Sequence, residues 1–414
     1  MKDFRHASGR LEDNYFYGRV DEIGILHNNI NMRQHTALIG QRQFGKTALI
    51  HKAIERHIAS PLKAHVDLTR KSTLHEVAQA MLNEFMQENF GIKRFLVMAQ
   101  VDFGTLIKNA FSFMGGVKKI RLKDFEVELK EISLLAADST NSKSIDLFVS
   151  AVEFIDNVAT KLEKKAVLFI DEFQRIVQFP EMKTKDVLWP LRSAIQDCKS
   201  TTLIIAGSKP SALRDLITMP ESAFFNSFMI YDVYGIEAND FYDHFSQVCS
   251  TYGVADIPQA TQFVFKVFNG MPSYLSLFGR KLFDEVKRKR RLESDMYFKA
   301  LEDTFFDLSD VFRLFEEKIN DIPYGLIVYK SIFANENPKS EAVRLSGTTA
   351  ANIQSSTINK MIENGYIVKR GHGEYQVVDA ALGYYMAEIT TFEQFKTLYD
   401  DQILSSMLGI GEAR

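Results

Sequence analysis

The chain has 414 residues, 46% hydrophobic and 25% charged, enough apolar material for two or three soluble domains of ordinary size. A formal net charge of −3 excludes a bulk electrostatic drive toward nucleic acid or an anionic membrane, so either partner would need a local patch. Cys198 and Cys249 are too few for a disulfide framework and have no metal-binding spacing. The polar first residues lack an apolar signal core, and no run approaches the ~18 apolar residues of a membrane span, so a cytoplasmic protein is expected.

In chain order, short apolar runs at 36–39, 64–68, 166–170, 202–206 and 228–233 alternate with segments of helical spacing at 47–58, 74–90, 144–162 and 187–198. Strands alternating with helices predict an α/β domain with a mostly parallel sheet flanked by helices, occupying 1–236. Residues 91–141 are longer than a crossover needs and contain the hairpin-like KKIRLKDFEVELKEI, so they are read as an insertion without chemistry. From 237 to 318 the pattern is helical throughout, predicting a small helical subdomain. Within 319–390, helices are expected at 323–333, 340–345 and 349–363. YIVKR and EYQVV then form two short runs around a glycine turn, which is the order of a winged helix. Residues 391–414 are expected as a tail, loosely held from 401 onward.

Two motifs carry chemistry. Gly40-Gln41-Arg42-Gln43-Phe44-Gly45-Lys46-Thr47 is a phosphate-loop pattern placed after a strand and opening a helix, with Ala48 following. Its glycines let backbone N–H groups curl around phosphates at a helix N-terminus, where the dipole favours negative charge. Lys46 would reach the β- and γ-phosphates of ATP, and Thr47 would offer its hydroxyl to Mg²⁺. The second motif is AVLFIDEFQ: Asp171 emerges at the C-terminal end of an apolar strand and would hold Mg²⁺, while Glu172 would polarise the attacking water. Ser208, at the end of TLIIAGS, either meets the γ-phosphate or its water from a neighbouring strand tip or merely starts the turn before Lys209-Pro210.

The order of FYGRVDEIGIL (16–26), GQRQFGKTALI, LFIDEFQRI, LIIAGSKPSAL and FNGMPSYL (268–275), followed by a winged helix, resembles the archaeal-type AAA+ ATPases, allied to the STAND signalling NTPases and the origin-recognition initiators. The resemblance runs from about residue 15 to 386. It implies that Gly18 and Arg19 line the adenine side of the site with Tyr17 close to the base, and that Ser208 is a first sensor. It also implies that Gly270 and Pro272 close the helical subdomain on the nucleotide. Two departures stand out. Relatives commonly carry an arginine shortly before the last core strand, where this chain has Ser227, and the second-sensor arginine pattern is missing. Arg192, Arg214 and Arg280 are the candidates to substitute. The expectation is therefore tight ATP binding with slow basal hydrolysis, a switch controlling assembly or partner binding more than a motor.

The rival expectation is an ATP-licensed initiator or loader gripping double-stranded DNA. The helix at 349–363 would enter a major groove, and Lys369, Arg370 and His372 would touch the backbone. The run Lys287, Arg288, Lys289, Arg290, Arg291 would neutralise phosphates. Against this, Asn352, Gln354, Ser355, Ser356, Asn359 and Lys360 include no arginine, and a charge run on a helix is usually a solvated face. A winged helix can also serve as a lid or a protein-partner surface, for a homo-oligomer or another chain. The scattered histidines, His51, His57 and His65 among them, read as packed or surface residues, and no metal beyond Mg²⁺ is expected.

Overall fold

The computed structural model describes residues 3–4, 14–57, 61–91, 131–132, 134–183, 188–371 and 373–407. The hairpin-like tract of the insertion, at 118–132, falls almost wholly outside these residues, as does His372. The chain resolves into two compact units. One comprises Asp21–Gly40 and Leu49–Val233; the other comprises Met1–Val20, Gln41–Ala48 and Tyr234–Arg414.

The first unit is built on a five-stranded sheet, entirely parallel, in the order β2-β3-β4-β1-β5. Its strands are β1 (Thr36–Ile39), β2 (Leu62–Asp67), β3 (Ala166–Asp171), β4 (Thr201–Gly207) and β5 (Met229–Asp232). Each begins or ends within two residues of the apolar run that predicts it. Every residue of β1 and β4 is buried, as expected of central strands covered on both faces. The covering helices in chain order are α1 (Val20–Asn31), α2 (Lys46–His57), α3 (Leu74–Phe90), α4 (Asn141–Lys161), α5 (Leu188–Gln196) and α6 (Pro210–Thr218).

Local chemistry sets the limits of these elements. Thr73 caps α3 by accepting the Glu76 N–H, Glu76 reaches back to the Ser72 N–H, and Gly91 in the left-handed region ends the helix. Asn89, near the end of α3, donates to the Lys63 carbonyl at 2.8 Å and accepts the Lys63 N–H at 2.9 Å, so its amide occupies backbone groups that edge strand β2 would otherwise present. The buried carboxylate of Asp156 in α4 accepts the N–H groups of Lys199, Ser200 and Thr201, each at 2.8 Å, and so anchors the start of β4.

In the second unit the described helices are α7 (Ala238–Tyr252), α8 (Pro258–Phe268), α9 (Pro272–Lys289), α10 (Ser294–Asn320), α11 (Gly325–Phe333), α12 (Ser340–Ser346), α13 (Ala350–Ile353), α14 (Asn359–Glu363), α15 (Ala380–Met386) and α16 (Phe392–Met407). A π-helical turn, Gln354–Ile358, joins α13 to α14. The antiparallel ribbon of β6 (Ile367–Lys369) and β7 (Tyr375–Val377) follows, so the expected order of three helices and a ribbon is present. The 27-residue α10 is the spine, with α9, α11, α15 and α16 packed along it. Its core is aromatic: Phe245, Phe268, Phe278, Tyr297, Phe305 and Phe312 are all buried. Asp379 caps α15 and accepts the Tyr274 hydroxyl at 2.8 Å; its burial pushes the carboxyl up to about 6.

The C-terminal segment differs from the sequence expectation. Residues 401–407, expected to be loose, continue α16, whose Phe395 is fully buried and stacks edge-on with Phe305 at 5.0 Å. Phe392, Phe395 and Tyr399 recur at helical spacing and build this face. Among the described residues, no helix is long and apolar enough to cross a membrane.

Candidate functional site

The phosphate loop lies between β1 and α2, as the motif requires. Its two glycines answer different demands. A Cβ on Gly40 would fall 2.5 Å from the Val233 carbonyl, whereas Gly45 has φ +75°, a conformation that costs glycine nothing. Gln43, at φ +68°, also adopts the left-handed region. Lys46 opens α2 and donates to the Gln41 carbonyl at 2.8 Å.

Several groups of the second unit converge on this loop. Buried Arg19 donates to the Phe44 carbonyl at 3.1 Å and to the Tyr234 carbonyl. Ser273, in the first turn of α9, donates to Gln43 Oε1 at 3.1 Å, and Pro272 begins the same helix. The turn at Gly365 lies so close to Gln41 that an added Cβ would stand 2.4 Å from its Nε2. Tyr17 stacks on His244 at 4.3 Å and approaches the Ser276 hydroxyl; burial raises its pKa. Gly18 abuts Asp240. Gly270 accepts the Ile236 N–H at 2.7 Å and so ties the α8–α9 turn to the start of the unit's helical part. Arg42, Thr47 and Ala48 complete the loop and the first turn of α2. His244, Ser276 and Ser273 are not apparent from the motifs. The signal available was Asp240 and His244, four residues apart on one face of α7.

The acidic pair belongs to the first unit. Asp171 ends β3 in register with Asp67 at the end of β2, and its Oδ1 accepts the Glu172 N–H at 2.9 Å. Asp67 caps the turn after β2 through the Thr69 N–H. Glu172 is itself left-handed, at φ 55°, an uncommon conformation for a residue with a side chain. Ser208 follows the adjacent strand β4, and its hydroxyl donates to Glu172 Oε2 at 2.8 Å. Gln174 donates to the same oxygen at 2.6 Å. The structure thus brings Glu172 together with Ser208, and with Gln174, which the sequence reading assigned no role.

The arginine candidates have other attachments. Arg214 pairs with Asp232 at 2.5 Å, Arg192 lies over the Trp189 ring at 5.4 Å, and Arg280 is an exposed neighbour of Asp284. Ser227 has a buried hydroxyl with no partner among the described residues. Thr47 offers a hydroxyl and Asp171 a carboxylate, each a donor of the kind that suits a hard cation such as Mg²⁺; the two residues belong to different units. Among the described residues no cluster of three or more acidic, histidine or cysteine side chains forms a separate metal site.

The basic run is extensively paired. Lys287 meets Asp3 at 3.1 Å, Lys289 meets Glu285 at 2.9 Å, Arg288 also bonds Glu285, and Arg291 meets Glu293 at 3.3 Å; Arg290 caps α9. On the helix expected to enter a groove, Ser355 and Ser356 bond back to the carbonyls of Ala351 and Asn352, and Gln354 bonds Asn359 and Tyr375. Such back-bonding accompanies the local π-turn. Lys369 ends β6, and Arg370 bonds Gln376 at 2.8 Å.

No protein-family model matches the chain, and no curated protein matches it by sequence. Solved structures do. A Walker-type ATPase of Pyrococcus abyssi superposes with a TM-score of 0.63 at 14% identity, covering 92% of this chain and 98% of that one. The Aeropyrum pernix ORC2 protein, in its ADPNP–ADP complexes, superposes with a TM-score of 0.53 at 11% identity, covering 95% of this chain and 98% of that one. The fold is that of a phosphate-loop AAA+ ATPase. The likeness to these two archaeal chains is one of fold.

Proposed function

We propose that the protein binds Mg·ATP at the loop Gly40–Thr47 and hydrolyses it slowly, as a cytoplasmic nucleotide-dependent switch controlling assembly or partner binding. The observation that carries this reading is the attachment of the loop: Arg19, Ser273 and the Gly365 turn all meet Phe44, Gln43 and Gln41. A loop held by groups from three places along the chain is suited to pass its state to them, because a ligand shifts an equilibrium only through differential contacts.

In this reading Lys46 exchanges the Gln41 carbonyl for the β- and γ-phosphates, and the backbone N–H groups from Gln41 to Ala48 line the phosphate chain. Arg19, Gly18 and Tyr17 take the adenine side, and Pro272 carries the start of α9 to the nucleotide. Thr47 and Asp171 would hold Mg²⁺, which would neutralise phosphate charge when bound. Glu172 orients water and accepts its proton, and Ser208 senses the γ-phosphate from the β4 tip. With no arginine assigned to the transition state, turnover is slow.

The DNA-licensed reading rests on the helix–ribbon order of a winged helix at 319–390, but it has less support. The basic run is paired with carboxylates, and the serines of the would-be recognition helix are bonded to their own backbone. ATP turnover measured with and without duplex DNA tests both readings. Lys46→Ala is expected to weaken ATP binding at least about tenfold, the worth of a charge-assisted hydrogen bond. Glu172→Gln is expected to cut turnover by about 10²–10⁴ while ATP still binds. Stimulation by DNA that disappears in both variants would favour the initiator reading; rapid turnover without any partner would contradict the switch.

A further inference from the structure

We infer that Gln174 is a positioning residue that holds Glu172 in a fixed orientation for hydrolysis, a role resting on the ATPase reading above. Glu172 Oε2 accepts from two side chains, Ser208 Oγ at 2.8 Å and Gln174 Nε2 at 2.6 Å. Because a carboxylate only accepts, the amide must present its nitrogen to Glu172, and this assigns its two ends. The other end, Gln174 Oε1, is buried and finds no hydrogen-bond partner among the described residues, in a side chain only 5% exposed.

An unsatisfied buried acceptor costs stability, so packing alone favours an apolar side chain of the same length here. The amide nitrogen is the gain that offsets it. Room for the amide is also made deliberately: a Cβ on Gly207 would fall 2.3 Å from Gln174 Oε1 and 2.9 Å from Leu213 Cδ2. Gly207 ends β4 immediately before Ser208, so one strand end supplies both the second donor to Glu172 and the space for the first. With two donors converging on one oxygen, the carboxylate loses rotational freedom about its terminal torsion. A base held in one orientation forgoes reorganisation when it meets its water.

The test uses the full chain and compares wild type with Gln174→Met, which keeps length and loses the donor, and Gly207→Ala, which pushes the amide aside without altering it. Single-turnover hydrolysis, ATP affinity and melting temperature are measured for each, and Gln174→Met is repeated in a Glu172→Gln background. The expected result is a fall of about tenfold in the hydrolysis rate for Gln174→Met, the worth of one hydrogen bond to a charge, and a fall of similar size for Gly207→Ala. ATP affinity stays within about twofold. Gln174→Met melts no lower than wild type, and it has no further effect on the rate once Glu172 is Gln, because no base then remains for the amide to hold in place. An unchanged rate in Gln174→Met, an equal fall in both backgrounds, or a rate loss that tracks a lower melting temperature overturns the positioning role alone. A wild-type chain that binds ATP without any turnover overturns the hydrolysis reading and this role with it.

Discussion

His35 shows how one side chain can set the acid limit of the first unit. Its Nδ1 accepts the Leu203 N–H and its Nε2 donates to the Ile195 carbonyl, each at 3.0 Å, so the ring is wired as the neutral tautomer between β1, β4 and α5. Burial lowers its pKa, outweighing the opposing effects of the Ile195 carbonyl and Asp156. The unfolded chain therefore takes up the proton first, at about pH 6.5. The stability this residue contributes is complete above that pH and is lost as pH falls toward the depressed folded value. Melting curves between pH 7.5 and 5.5 should show the loss, and His35→Gln should flatten the pH dependence. An identical slope in both proteins would place the acid sensitivity elsewhere. Cys198, by contrast, is pushed up to about 12 by burial and nearby carboxylates, which leaves its thiol unreactive at neutral pH.

Among the elements, α16 carries the clearest prediction. Its attachment rests on a short aromatic face: Phe395 meets Phe305 at 5.0 Å, and Tyr399 meets Phe298 at 5.3 Å. Phe395→Ala should cost about 3–5 kcal/mol, the usual range for emptying a buried aromatic site. It should release the helix to limited proteolysis before the rest of the chain; protection equal to wild type would show that the helix is held by other contacts. The basic end of α9 behaves differently, since its charges are balanced by i,i+3 and i,i+4 carboxylates and contribute little as isolated surface pairs. The π-turn within the helix at 349–363 likewise places its serines against backbone carbonyls, a cost that a groove-reading helix gains nothing from.

For the whole molecule, nucleotide binding should act as a stabiliser by mass action. At a hundred times its dissociation constant, ATP would add about 2.7 kcal/mol. Calorimetry should resolve more than one transition in a chain of two compact units, so each must be followed separately. The shift should fall to about 1.4 kcal/mol or less in Lys46→Ala, whose binding is at least about tenfold weaker; an undiminished shift in that variant would move nucleotide binding away from the loop.

Much of this molecule could be read along the chain. All five strands of the sheet, the loop at Gly40–Thr47 and the acidic pair at 171–172 follow from local pattern, because apolar runs, glycine spacing and a strand-ending carboxylate are signals carried by neighbouring residues. The order of three helices and a ribbon was legible for the same reason. What only the tertiary structure decided are pairings between residues far apart in the chain. Ser208 and Glu172 are separated by 36 positions, and Tyr17 and Ser276 by 259. Whether a serine starts a turn or bonds a carboxylate depends on which strands become neighbours, and the order β3-β4-β1 is not written in any one of them. The same holds for Gln174, for the partners of the basic run and for the burial of α16. Each is settled by what lies across the fold, where only packing and electrostatics, not spacing, choose the contact.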